Sequence, residues 1–237
     1  IYSTFMQRCI DMIQHDAALQ KLPVRFCMDR AGLSPDDGPT HHGLFDIAMI
    51  RSIPNIVFMQ PKDEAEFVHM LRTMNHYQNG PTVIRYPRGC GAGTPVPAKA
   101  EILPIGKAEV LQTGRDVTLV SLGTMIGIAR ETASLLEARG YTVTLINARF
   151  IKPLDDECIR RHAARSRVVC TFEDHSISGG FNSAVLESLE TGDVKTPVEA
   201  IAWPDQFIEH GSESILRKKY GLTAEAALQK IITHLNS

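Results

Sequence analysis

Two apolar patterns alternate along this chain: residues spaced three or four apart, and short unbroken runs. Met6, Ile10, Ile13 and Ala17 share one helical face, Pro23 interrupts it, and "VRFCMD" follows as a strand. The opening "IYSTF" reads as the end of another strand. After the segment "DRAGLSPDDGPTHHGLFD" (residues 29–46) comes a short apolar helix, "LFDIAMIRSI", stopped by Pro54. "NIVFMQP" predicts a buried strand. Asp63, followed three residues later by Glu66, predicts the start of the helix "EAEFVHMLRTMNHY". "PTVIRYPRG" is one more strand, running into a second arginine-bearing loop.

From Gly89 to Gly106 the sequence turns to Gly, Pro and small residues, the best candidate boundary in the chain. The expected division is a first domain over 1–95, a linker over 96–106 and a second domain over 107–237. In the second part "DVTLVSLG", "YTVTLINAR", "RVVCTFED" and "VEAIAW" predict strands. Between them lie a helix marked by Ala129, Thr132, Ala133 and Leu136 and closed by Gly140, a helix over 155–165, and one after "SGGF". A last helix starts at Thr223. Strands alternating with helices of this length predict mainly parallel sheets covered on both faces, hence two three-layer α/β domains.

Composition narrows the function classes. The 237 residues are 43% hydrophobic with a formal net charge of −2, so no global field recruits nucleic acid. The basic clusters "RKK" and "RRHAARSR" read as solvated helix faces. No apolar run reaches the ~20 residues of a membrane span. Five widely spaced cysteines without a CxxC pair suggest neither a disulfide framework nor a zinc site, and point to a reducing compartment. Cys27 and Cys170 lie in strand-like runs and are expected to be buried.

Candidate chemistry concentrates where strands end. Arg30 follows "VRFCMD" and Arg88 follows "TVIRY"; parallel strands would bring both, with Asp37 and His41, to one crevice beyond the sheet. Guanidinium forks suit phosphate oxygens. His41 can give or take a proton near neutrality, and Asp37 can orient a hydroxyl or the imidazole. Set against this, Asp36 and Asp37 before Gly38-Pro39 suit a plain turn, which is the preferred reading for Asp36. His42 reads as structural, and an arginine after a strand often makes only a surface ion pair. "SISGGFNSAV" lacks the phosphate-loop patterns and reads as a tight start to a helix; Glu173, Asp174 and His175 beside it are expected to cap or pair locally. No metal-ligand spacing occurs.

These same stretches carry a resemblance. "IYSTFMQR", "DRAGLSPDDGPTHHGLFD" and "RYPRG", with "ARFIKPLD", "TFEDHSISGGFNSAV" and "WPDQFIEHGS", resemble the 1-deoxy-D-xylulose-5-phosphate synthases of the transketolase superfamily over essentially the whole chain. The resemblance implies a transketolase-like pyrimidine-binding domain, incomplete at its N-terminal side, followed by a transketolase C-terminal domain. It implies a thiamine diphosphate- and Mg²⁺-dependent condensation of pyruvate with glyceraldehyde 3-phosphate, serving isoprenoid precursor, thiamine and pyridoxal synthesis. Phe5 would pack on the cofactor's aminopyrimidine with Arg8 beside it. Tyr2, Arg30 and Arg88 would embrace the aldehyde's phosphate, and Asp37 and His41 would handle substrate near the thiazolium.

The family's diphosphate-binding domain, with its GDG…N magnesium motif and its activating glutamate, has no counterpart here. The chain is therefore expected to be a C-terminal part, inert alone, whose remaining segment is absent or a separate chain. A homodimer in the bacterial cytoplasm or a plastid is implied. Two other readings are a β-subunit of a 2-oxo acid dehydrogenase and a non-catalytic dimerisation or sugar-phosphate-binding module; "DRAG…DGPTHHG" and the two arginines argue against the first.

Overall fold

The structure is a computed structural model that describes residues 1–236. Its first sheet contains β1 (Arg25–Met28), β2 (Val57–Met59), β3 (Thr82–Arg85) and β7 (Phe150–Lys152) in the order β1-β3-β2-β7. β1 and β2 both pair parallel to β3, whereas β7 pairs antiparallel to β2. The second sheet, β4 (Glu109–Gln112), β5 (Val117–Ser121), β6 (Val143–Asn147), β8 (Val168–Ser176) and β9 (Val198–Trp203), has the order β4-β6-β5-β8-β9. It is parallel except for the edge strand β4. Both mainly parallel sheets carry helices, the α/β architecture that the alternating pattern predicts.

The helices are α1 (residues 3–18), α2 (Asp46–Arg51), α3 (Glu64–His76), α4 (Ile126–Glu137), α5 (Asp156–Ala163), α6 (Phe181–Thr191), α7 (Glu213–Tyr220) and α8 (Ala224–Leu235). Asp63 caps α3 by accepting the Glu66 amide at 2.8 Å, and Thr223 caps α8. α1 is irregular: α-helical turns alternate with a 3-10 turn at Gln7–Cys9 and end in a π-helix at Ile13–Ala18.

Three features differ from the sequence pattern. "IYSTF" is not a strand end beyond its first two residues. Tyr2 forms an isolated parallel bridge with Asp29, and helix begins at Ser3. β7 leaves the second half of the chain to complete the first sheet. Cys27 is only half-buried, because β1 is an edge strand, while Cys170 is fully buried.

The core ignores the linker. Met6, Ile47, Phe58 and Val83 from the first part pack in one cluster with Val120, Ile146, Phe181 and Val185 from the second. Leu33 and Leu44, from the ends of the 29–46 segment, enter the core of the second sheet.

Candidate active site

β1 and β3 run side by side with Met28 opposite Arg85, so the loops leaving their carboxyl ends are neighbours. The Tyr86 amide donates to the Met28 carbonyl and the Ala31 amide donates to the Tyr86 carbonyl, each at 3.0 Å. Arg30 and Arg88 thus leave the same end of the sheet. Residues 29–46 fold back on themselves, because Gly32 and Gly43 exchange both backbone hydrogen bonds at 2.8–2.9 Å. Gly32 has φ +84°, and a Cβ there would lie 2.1 Å from Asp174 Oδ2, so no side chain fits.

The expected site residues fall into two groups, Tyr2, Phe5, Arg8, Arg30 and His41 in contact with one another, and Arg88 paired with Asp37. The Arg30 guanidinium lies 3.9 Å from the Tyr2 ring centre and pairs with Asp29 at 2.5 Å. Its Nε is buried without a partner. Tyr2 and Phe5 rings are 5.2 Å apart, and His41 stands edge-on to both, at 6.1 and 5.5 Å. Arg8 lies 5.7 Å from the Phe5 ring centre, near the limit of a cation–π contact. His41 Nδ1 is 2.8 Å from the Thr40 hydroxyl. Arg88 pairs at 3.3 Å with both Asp37 and Asp36. Asp36 thus sits in the turn the sequence suggests and also holds Arg88.

The remaining candidates are structural in their contacts. His42 is buried and its Nδ1 accepts the Ser34 amide at 3.0 Å; burial lowers its pKa. Glu173 caps α6, accepting the Phe181 and Asn182 amides at 2.6 and 2.8 Å. The start of α6 is thereby filled by the protein's own Glu173 carboxyl group. Gly180 is needed there because a Cβ would fall 2.3 Å from Glu173 Oε2. Asp174, in contrast, does not act locally, whereas His175 does so in part, its Nδ1 lying 2.6 Å from the Ser176 carbonyl. Asp174 accepts from Trp203 Nε1 at 2.6 Å, from Arg217 at 3.3 Å and from the Leu33 amide at 3.4 Å. His175 Nε2 accepts the Ala48 amide at 3.3 Å. Burial pushes the Glu173 carboxyl up to about 8 and the His175 imidazole down to about 4.

Sequence reasoning missed Arg85, which is wholly buried beneath the site. It donates to Asp46 at 2.9 Å, to Gln60 at 2.6 Å, and to the Gly43 and Asp174 carbonyls at 3.2 Å. Asp46 also accepts from the Ser3 hydroxyl at 2.8 Å. One guanidinium therefore ties the start of α1, the base of the 29–46 loop, β3 and the second half of the chain. A charged residue spaced three before Arg88 in "RYPRG" was the available signal, hidden because charged side chains are seldom fully buried.

Among the described residues no group of three or more His, Cys, Asp or Glu is placed to hold a metal ion, and no helix is long and apolar enough to cross a membrane.

Residues 1–92 match the family model for the transketolase pyrimidine binding domain, and residues 106–226 that for the transketolase C-terminal domain. The 1-deoxy-D-xylulose-5-phosphate synthase of Methylacidiphilum infernorum is 52% identical over 240 residues, covering 100% of this chain and 38% of its own length. That of Acidobacterium capsulatum is 52% identical over 236 residues, covering 99% of this chain and 37% of its own. The chain thus spans well under half of these relatives. A solved structure described as a split-gene transketolase, inactive β4 tetramer, superimposes with a TM-score of 0.88 at 30% identity, covering 99% of this chain and 75% of that one.

Proposed function

The chain belongs to the transketolase family, and on that premise we propose that it is the acceptor-binding part of a 1-deoxy-D-xylulose-5-phosphate synthase. The observation that carries this reading is the placement of Arg30 and Arg88 at adjoining carboxyl ends of parallel strands, with Tyr2, Phe5 and His41 clustered beside Arg30. Identity of about half the residues to synthases of that name supports it.

In this reading Arg30 and Arg88 grip the phosphate of glyceraldehyde 3-phosphate. Arg30 has a buried, unpartnered Nε to offer, and Arg88 is held by two carboxylates in exposed ion pairs that exchange readily for a phosphate. Tyr2, stacked under the Arg30 guanidinium, fixes its plane. His41 supplies a proton donor or acceptor at the aldehyde oxygen, and Asp37 holds a substrate hydroxyl.

The half-buried Phe5 ring, flanked by Tyr2 and Arg8, fits the flat aminopyrimidine of thiamine diphosphate. When bound, that cofactor supplies the carbanion equivalent derived from pyruvate. The magnesium ligands and the group that activates the cofactor then belong to the portion of the enzyme beyond this chain. A split-gene transketolase among the similar structures supports a separate chain as one way to supply it, in an assembly of several copies.

The test is CO₂ release from pyruvate with thiamine diphosphate and Mg²⁺, by the chain alone and after co-expression with the N-terminal part of the Methylacidiphilum infernorum relative. Release by the reconstituted pair, stimulated by glyceraldehyde 3-phosphate, is expected; the chain alone is expected to be silent. Reconstituted decarboxylation indifferent to the aldehyde phosphate would count against the assignment.

A further inference from the structure

Beside Arg88 lies a cavity of about 520 Å³ between the first sheet's loops and the start of α4. It does not include Arg30, Tyr2, Phe5 or His41 and so is distinct from the acceptor clamp, sharing only Arg88 with it. Its walls combine three kinds of group. Phe67 and Tyr86, with ring centres 4.9 Å apart, supply an apolar aromatic surface. Arg130 and Thr124 stand exposed on α4 and the turn before it, and Arg130 makes no ion pair or side-chain hydrogen bond among the described residues. Glu64 accepts the Gly93 amide through Oε1 at 2.7 Å, while its Oε2 is buried with no partner.

An unpaired guanidinium and an orphaned carboxylate oxygen in one cavity ask for opposite things: an anion and a hydrogen-bond donor. A hydroxylated phosphate provides both, and its carbon skeleton suits the aromatic wall. The volume lies within the usual range for small-molecule sites and accommodates a pentose phosphate. Cavities lined by hydrophobic and aromatic groups with a few convergent polar ones are the common form of such sites.

We propose that this cavity is a second binding site for a phosphorylated polyol or sugar, separate from the acceptor clamp and coupled to it through Arg88. The phosphate bridges Arg130 and Arg88, and a hydroxyl donates to Glu64 Oε2. Occupancy draws Arg88 away from Asp36 and Asp37, so it alters the affinity of the clamp that shares Arg88.

Isothermal titration of the chain with ribose 5-phosphate tests this, with ribose and inorganic phosphate as controls. The expected result is one bound ribose 5-phosphate per chain and no detectable binding of ribose. Arg130→Ala and Arg130→Glu should weaken binding at least tenfold, with circular dichroism confirming folded variants. Arg30→Ala should leave it unchanged while removing glyceraldehyde 3-phosphate binding. Absence of millimolar or tighter binding, insensitivity to Arg130, or loss on Arg30→Ala would each overturn the second site. The ribose 5-phosphate results are independent of the aldehyde-stimulated CO₂ release that tests the proposed function; only the effect of Arg30→Ala on glyceraldehyde 3-phosphate binding bears on it.

Discussion

Arg85 Nε lies 2.9 Å from Asp46 Oδ2, and the two side chains are 0% and 1% exposed. The pair is compensated on every side: Gln60 and two carbonyls accept from the guanidinium, and the Ser3 hydroxyl and the Ile47 amide donate to the carboxylate. Removing one partner of such a pair strands the other charge in the interior, at a cost of about 3–5 kcal/mol. Arg85→Met is therefore expected to lower the urea midpoint by that equivalent, and Arg85→Met/Asp46→Leu to regain part of it. A single variant as stable as the parent would show that the pair does not hold the loops.

Gly32 sits where the 29–46 loop meets Asp174. Gly32→Ala places a methyl group on Asp174 Oδ2 and forces a non-glycine residue to φ +84°. A loss of about 2 kcal/mol or more is expected in thermal melts. Gly127, where an added Cβ meets nothing within 4 Å, serves as the comparison; Gly127→Ala should not destabilise.

The buried Glu173 and His175 act oppositely on the pH dependence of stability. Glu173 titrates at about 8 when folded against 4.5 ordinarily, so the folded chain holds a proton that the unfolded chain has lost. Its contribution is complete below pH 4.5 and disappears as the pH rises through 8. His175 titrates at about 4 against 6.5, so its contribution is present above pH 6.5 and is lost as the pH falls through 4. The two oppose each other between pH 4.5 and 6.5. From pH 6.5 to 8 Glu173 acts alone, and stability should fall by no more than about 1.4 kcal/mol per pH unit. Denaturant melts of Glu173→Gln should be flatter in that window; an unchanged slope would assign the decline to other groups.

In the reconstituted enzyme, Arg88→Ala should raise KM for glyceraldehyde 3-phosphate about 10- to 150-fold, the equivalent of losing a charge-assisted contact of roughly 1.5–3 kcal/mol. Pyruvate KM should change little. His41→Ala should act mainly on kcat. Steady-state kinetics that show only a pyruvate effect for Arg88→Ala would remove it from the clamp.

Much of the fold was legible because local signals agreed with it. Asp63 and Thr223 sit at N-caps, and apolar runs became the parallel strands. What escaped depended on partners distant in sequence. "ARFIKPLD" carries a three-residue strand that no period can reveal, since its sheet lies in the other half of the chain. "IYSTF" is β-branched and aromatic enough to read as strand, yet Ser3 turns into helix with its hydroxyl on Asp46. Arg30, Arg88, Asp37 and His41 could be picked out by position after strands, and Tyr2, Phe5 and Arg8 by the family resemblance, but Arg85 could not. Its role exists only because four separate segments close around it.

The antiparallel strand β7 has a consequence for how the chain comes into being. β2 emerges about ninety residues before the segment that covers its edge. At ordinary rates of synthesis that edge waits roughly 5–20 s on the ribosome with its backbone amides unpaired. The first sheet is thus finished by the second half of the polypeptide. Severing the chain between Gly89 and Gly106 would yield two pieces that clasp one another, not two domains that merely touch.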